Sequence, residues 1–409
     1  MNDQPLPPEA ARELVLAEVV PTPSEPVRLE DCLGRVTAAD VSSAVALQPF
    51  DNSAMDGYAL RSADTKGEAE PPGLRLVGEA RAGHPAATEV GAGEAAWIST
   101  GAMVPVGADA VLPVEEASEA DGRVVPGREV APGEHIRRAG EDVEPGQRLL
   151  AAGEAIGPAE LAVLAATGNA TIACARRPTV AVLSSGDELV APGEPLAPGQ
   201  IHDSNGFALP AQVREAGAVP SYANWLPDDP PATREAIAGA LDCDVLVVAG
   251  GVSVGRHDHV KGALTDLGAR EVFWRVAMRP GGPTWFGVMP GESGRRPTLV
   301  FGLPGNPVSA MVTFHLFARP ALRAMSGLRP GPDRTRAALA EAYRKKPGKA
   351  HYVRCRLELV EEGWWAHLTR ASQGSHVLTS MLGADALALI PADREEIAAG
   401  EKVVVELLR

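Results

Sequence analysis

The chain has 409 residues, 45% of them hydrophobic and 4% aromatic, with a formal net charge of −15 at pH 7. That length leaves room for two to four domains of roughly 150 residues each, and the acidic balance argues against a generic nucleic-acid binder. Glycine (43 residues) and proline (36 residues) make a globular chain rich in turns, short of the roughly 25–30% that marks low complexity.

Cysteines 32, 174, 243 and 355 lie far apart, without a C-x-x-C pair, which favours reduced thiols in a cytoplasmic protein. The N-terminus lacks a basic and an apolar segment of secretory type. No apolar run reaches the length of a membrane span, so no membrane partner is expected.

In chain order, a helix is predicted from Pro7 to Val20 and a helical or turn-helix stretch from Leu29 to Val41. Up to about Val143 the pattern becomes short apolar runs, including Leu74–Val77, Ala95–Ile98 and Ala110–Val114, which reads as an all-β lobe. A helix returns between Gly157 and Gly168, with the latter glycine as its stop. The rhythm then turns to alternating strands and helices. Strands are predicted at Thr179–Leu183, Val219–Trp225 and Val245–Ala249, with helices at Phe207–Ala216 and Pro231–Leu241 between them. Another helix follows Asp258, then strands Glu271–Val276, Thr284–Val288 and Thr298–Gly302, then a long helix from Pro307 to about Met325. This is the pattern of an open, mostly parallel α/β sheet, whose ligands sit at the carboxyl ends of the strands. Beyond Arg329, the runs Val353–Val360, Trp364–Thr369, Ala386–Ile390 and Val403–Leu407 suggest a small β-barrel or sandwich.

Three polar clusters follow predicted strands: Ser184 to Glu188, Gly250 to Asp258 and Gly302 to Ser309. In a parallel sheet they share one edge. Glycine accepts φ > 0 without steric cost, so Gly250, Gly251, Ser253 and Gly255 can turn backbone N–H groups toward an anion at the next helix start. Asp258 and Lys261 sit at that mouth. Pro304, Gly305, Asn306 and Pro307 form a second amide-bearing turn, with Pro307 suited to the first helical position. Glu188 and Asp258 together suit a hydrated Mg2+, which takes one or two carboxylates plus substrate oxygens; the plainer alternative makes them helix caps or solvated acids. Arg275 and Arg279 offer forked donors for an oxyanion, or are simply surface arginines. Gly251-x-Ser253-x-Gly255 also fits a hydrolase elbow with Ser253 as nucleophile and Asp266 and His315 as partners. Against that, the helical pattern begins several residues after the serine.

The set of motifs resembles the MoeA-type molybdopterin molybdenumtransferases, relatives of the gephyrin E domain. The matching text is Phe50-Asp-Asn-Ser-Ala-Met-Asp-Gly-Tyr-Ala59, Ser99-Thr-Gly-Ala102, Ile136-Arg-Arg-Ala-Gly-Glu-Asp142 and Ser185-Gly-Asp-Glu-Leu189. It continues with Gly250-Gly-Val-Ser-Val-Gly255, Gly302-Leu-Pro-Gly-Asn-Pro-Val-Ser-Ala310 and Gln373-Gly-Ser-His376. The resemblance implies a multidomain α/β protein: a central MogA-like α/β domain (1–23 with 174–328), a small α+β linking domain (24–42 with 144–173), a β-rich lobe (43–143) and a C-terminal β-barrel (329–409). It implies insertion of molybdenum from molybdate into adenylylated molybdopterin, with Mg2+ present and AMP released. It further implies a homodimer whose site is shared between subunits, and as protein partners the upstream molybdopterin adenylyltransferase and recipient molybdoenzymes. By matching motif, Asp56, Thr100, Glu188, Asp228, Asp258, Arg275, Arg279 and Ser375 line that site. The sequence departs from the family where lysines often stand at Arg275 and Arg279. In Pro280-Gly-Gly-Pro283, Gly282 replaces a usual lysine.

Overall fold

The computed structural model describes residues 4–66, 73–226, 229–252, 259–291 and 295–408. Its centre is built from helix α1 (Pro8–Ala17), strand β1 (Thr179–Ser185), helix α2 (Asn205–Glu215), strand β2 (Val219–Leu226) and helix α3 (Pro230–Ala240). Strand β3 (Val245–Ala249), helix α4 (Val260–Asp266) and strands β4 (Arg270–Trp274), β5 (Trp285–Met289) and β6 (Thr298–Leu303) follow. Helices α5 (Pro307–Thr313) and α6 (Arg319–Met325) close the unit, joined through a buried π turn at Phe314–Ala318.

The sheet order is β2-β1-β3-β6-β5-β4. The first four strands run parallel, whereas β5 alone is reversed, antiparallel to β6 on one side and to β4 on the other. The links from β4 to β5 and from β5 to β6 are shorter than the dozen or so residues that a parallel crossover needs, so these strands pair as antiparallel neighbours.

All five residues of β3 are buried, and their alternation divides two cores. Val245, Val247 and Ala249 face a layer containing Ala11 and Val15 of α1, Leu209 and Val213 of α2, and Val308 and Val312 of α5. Leu246 and Val248 face Ile237 of α3 and Leu264 of α4. A near-continuous apolar run is what a strand covered on both faces requires. At roughly 1.5–3 kcal/mol per large apolar side chain, this sheet is the main store of apolar stabilisation in the chain.

Three further units surround it. Ser24–Arg28 pairs antiparallel with Thr171–Ala175 beside the helix Pro158–Ala166. The stretch from Leu29 contains only a 3-10 turn, Leu29–Asp31, rather than a full helix. Gly34 at φ +71° leads the chain out of helical geometry there. The β lobe is a six-stranded sheet in the order Ala110–Pro113, Gly57–Leu60, Glu94–Ile98, Leu74–Ala80, Arg123–Pro126 and Ala117–Ala120. The C-terminal strands form a closed five-stranded barrel, because Ala350–Val360 pairs with both Gly363–Leu368 and Ala386–Ile390. Barrel, not sandwich, is therefore the outcome. A short strand, Met278–Arg279, adds in parallel to Ala350–Val360 and stitches the barrel to the central unit. The four cysteines are free thiols. Among the described residues, no helix is long and apolar enough to cross a membrane.

Candidate functional site

The predicted convergence of three strand ends is present in the structure. The N–H of Gly250 donates to the carbonyl of Leu303 at 2.9 Å, and Gly250 and Gly251 take φ +97° and +67°. A Cβ on Gly250 would lie 2.8 Å from the Ser185 carbonyl, and one on Gly251 would lie 2.4 Å from Val260 Cγ2. A Cβ on Gly305 would approach Gly250 Cα at 3.6 Å. These glycines are needed because backbone meets backbone here: the buried Gly250 closes the seam to Leu303, while half-buried Gly251 and exposed Gly305 present backbone rather than side chains at the surface. Glu188 is exposed beside them, with its carboxylate folded over Gly186, where a Cβ would come within 2.4 Å.

Asn205 escaped the sequence reading. It is 6% exposed, donates through Nδ2 to the Gly305 carbonyl at 2.8 Å, and leaves its buried Oδ1 without a partner. It fixes the second amide turn from beneath. Its only sequence signal is its place at the start of a helix after a polar cluster, which is ordinary capping chemistry.

Arg275 and Lys261 meet over one indole. Lys261 Nζ lies 4.0 Å and Arg275 Cζ 4.2 Å from the Trp274 ring centroid, an arrangement attractive to both cations. Lys261 is also paired with Glu271 at 2.9 Å, so its charge serves this edge of the sheet rather than standing free in the glycine loop. Trp274 Nε1 donates to the Val252 carbonyl at 3.2 Å and so ties the loop's first residues to β4. Arg275 has φ +76°, an uncommon state outside glycine. Its peptide groups are held by Leu6 N–H at 3.1 Å and by the Thr284 carbonyl at 2.9 Å.

Across the seam with the barrel, Asn306 Nδ2 reaches Ser375 Oγ at 3.4 Å. Arg279 is exposed and lines a cavity of about 730 Å³ with Lys345, Lys349 and Gln373. The loop bearing Ser375 is organised by Arg354, also absent from the sequence reading. Its guanidinium is buried and donates to Ser380 Oγ at 3.1 Å, the Tyr352 carbonyl at 3.2 Å and the Gly374 carbonyl at 3.4 Å. None of these partners carries charge. Burial pulls its pKa down to about 10, and a buried cation among neutral acceptors attracts an anion strongly.

Asp56 and Thr100 are joined to each other in the β lobe. Thr100 donates to Asp56 Oδ1 from its N–H at 2.6 Å and from Oγ1 at 2.9 Å, and the backbone bond foremost holds the carboxyl below the usual carboxylate range. Asp228, Ser253, Gly255 and Asp258 lie outside the described residues, so the hydrolase elbow and the second carboxylate have no geometry here. His315, the histidine open to that elbow, is 3% exposed and sits in the π turn against Arg319. Among the described residues, no three histidine, cysteine or carboxylate side chains gather to hold a metal. One exposed carboxylate, Glu188, suits a Mg2+ completed by water and substrate oxygens rather than a protein cage.

Adjacent glycines in the Arg279 turn differ sharply. Gly281 takes φ +97° and a Cβ there would strike Thr313 Cγ2 at 2.2 Å, whereas at Gly282 the nearest atom would be the Met278 carbonyl at 3.3 Å. Gly281→Ala is expected to cost about 1–3 kcal/mol, and Gly282→Lys within about 1 kcal/mol. Thermal denaturation of the two variants checks this; equal losses would contradict the geometry.

Comparison with known proteins gives one consistent result. Sequence profiles match for the MoeA N-terminal region (domain I and II) at residues 6–168, a probable molybdopterin binding domain at 181–324 and the MoeA C-terminal region (domain IV) at 336–408. The molybdopterin molybdenumtransferase of Haemophilus influenzae is 34% identical over 97% of this chain and 97% of its own. Molybdopterin molybdenumtransferase 2 of Mycobacterium tuberculosis is 38% identical over 93% of this chain and 94% of its own. The crystal structure of a molybdopterin biosynthesis MoeA protein from Pyrococcus horikoshii superposes with a TM-score of 0.85 at 34% identity, covering 99% of this chain and 100% of that one.

Proposed function

Since the chain belongs to the MoeA family of molybdopterin molybdenumtransferases, we propose that it inserts molybdenum from molybdate into adenylylated molybdopterin and releases AMP. The observation that carries this reading is the meeting of three strand ends, at Ser185, Gly250 and Leu303, opposite the Ser375 loop. The amides of Gly251, Gly305 and Asn306 bind phosphate oxygens, Gly250, Pro304 and Pro307 shape the turns that present them, and Ser253 and Gly255 are assigned to the same substrate. Glu188 and Asp258 would hold Mg2+, which when bound offsets the charge of those phosphates. Arg275 sits on Trp274 at the rim, while Arg279, Ser375 and Arg354 draw the molybdate oxyanion to the barrel side. Lys261 supports this edge through Glu271 and Trp274, and Asp228 is assigned to substrate binding on its motif alone.

In this reading Asp56 and Thr100 enter from a second subunit, so the active form is a homodimer. It works in the cytoplasm between the upstream molybdopterin adenylyltransferase and recipient molybdoenzymes. The chain then divides into 1–23 with 174–328, 24–42 with 144–173, 43–143, and 329–409.

Purified protein given adenylylated molybdopterin, Mg2+ and molybdate is expected to release AMP only when molybdate is present. Asp258→Ala and Glu188→Gln should each slow that release about 100-fold, the scale of losing a preorganised electrostatic contact. Release indifferent to molybdate and to both substitutions would remove the reading. A scaffold role has one observation in its favour, the absence of a cation at Gly282. Pterin binding without insertion, unrepaired by Gly282→Lys, is the result it requires.

A further inference from the structure

The cavity between Met278–Arg279 and the barrel is cationic in an unusual way. Its volume is about 730 Å³ and its lining includes Arg279, Arg344, Lys345, Lys346 and Lys349, with no carboxylate among the lining residues. At its rim Arg344 is paired with Glu396 at 3.0 Å, and Lys345 is bonded to the Ala392 carbonyl at 3.1 Å, near Asp393 and Glu395. The remaining cations therefore face the cavity against a chain whose net charge is −15. Cations that converge on a space without acids raise one another's free energy, and an anion in that space relieves it.

Two imidazoles line this cavity, the exposed His376 at its mouth and His351 buried beneath the cluster. His351 is 9% exposed, pairs in register with Arg279 across the seam, and shares a 3.0 Å hydrogen bond between Nδ1 and the Tyr343 hydroxyl. Lys345, Arg279 and Lys349 are the charges that bear on it. The neighbouring Tyr343 hydroxyl is itself held protonated, chiefly by burial. A dianion placed among Lys346, Lys349 and Arg279, with Lys345 at the rim, offsets most of the positive field at His351 and so favours a protonated imidazole.

We propose that this cavity binds a tetrahedral dianion, free or as the end of a phosphate ester, and that binding is coupled to uptake of one proton at His351. The inference deepens the insertase reading, which already places an oxyanion near Arg279, by giving the pocket its lysines and its proton linkage. No bond is made or broken; a solvent proton moves to the imidazole as the anion enters.

Sulfate is the first probe, because its charge is constant between pH 5 and 8, and AMP is the second, as a phosphate monoester. Titration calorimetry on the full-length protein is expected to show sulfate binding that strengthens as pH falls from 7 to 5, by up to ten-fold for each pH unit. Proton uptake should appear as a dependence of the heat on buffer ionisation. The double substitution Lys346→Ala and Lys349→Ala, both exposed in the loop 345–349, should weaken binding at least ten-fold. His351→Asn should flatten the pH dependence while leaving affinity at pH 8 unchanged, and Tyr343→Phe should displace its midpoint if the first variant folds poorly.

The same pattern for AMP but not sulfate, read as the difference between wild type and His351→Asn, assigns the site to a phosphate ester and still supports it. Binding that ignores pH, or that survives loss of both lysines, overturns it. Sulfate binding of the expected kind in a protein that releases no AMP would sink the insertase reading and leave this one standing.

Discussion

Replacing Glu406 with glutamine is expected to destabilise the protein by about 3–5 kcal/mol, the usual consequence of removing one partner of a buried ion pair. Glu406 is fully buried at the end of the barrel sheet. It accepts from Arg12 Nη2 at 3.2 and 3.3 Å and from Arg334 Nε at 3.0 Å, with a further bond from Arg334 Nη2. Arg12 belongs to α1 and also donates to the Leu316 carbonyl of the π turn at 3.1 Å. One carboxylate thus neutralises two guanidinium groups from opposite ends of the chain, and the Arg12 side chain is only 10% exposed. Glutamine keeps the shape but leaves the Arg12 charge buried without a counter-charge. Urea denaturation followed by tryptophan fluorescence measures the loss, and an unchanged midpoint would show that water reaches this junction freely. A concerted change, Arg12→Met with Glu406→Leu, should recover most of the stability, because the junction then becomes apolar on both sides.

Such a junction could not be read from the sequence, since its members stand 394 residues apart. What could be read depended on local period and local steric demand. Val245–Ala249 announced a strand buried on both faces because every position is apolar, and the two cores divide at alternate residues of it. Gly250, Gly251 and the turn at Pro304 announced backbone approach because glycine and proline carry that meaning wherever they fall. Arg354 gave no such sign. It follows Val353 and precedes Cys355, both in the barrel core, so its own burial against the loop at Gly374 depends on a contact that sequence spacing does not encode. Lys261 has partners that the sequence does not announce. Its place beside a glycine loop suggests a ligand, and the structure adds contacts to Glu271 and Trp274 that depend on the fold. The mostly parallel sheet was legible from the alternation of strands and helices, whereas the reversal of β5 was not assigned, because a short apolar run shows that a strand exists but not which way it runs.

Acidification below pH 6.5 is expected to destabilise this protein beyond what its carboxylates impose. His315 is held down to a pKa of about 3, first by burial and then by Arg319 and Arg12. His351 is held down to about 4, first by burial and then by Lys345, Arg279 and Lys349. In the unfolded chain both take up a proton near pH 6.5, whereas the native state refuses it until pH 4 to 3. The unfolded state therefore binds more protons across that window. The stability these groups contribute is complete above pH 6.5 and is lost as pH falls. Each costs about 1.4 kcal/mol per pH unit, so the pair removes about 4 kcal/mol between pH 6.5 and pH 5. Urea midpoints at pH 7.5 and pH 5 should converge by roughly half that difference in His315→Gln or His351→Asn, whatever either substitution does to stability at pH 7.5. Slopes identical to wild type in both variants would refute the assignment. The two histidines also separate under sulfate. An anion in the cationic cavity makes protonation of His351 favourable in the native state, so added sulfate should restore the His351 share of the acid loss. His315 sits in the π turn, away from that cavity, and its share should persist.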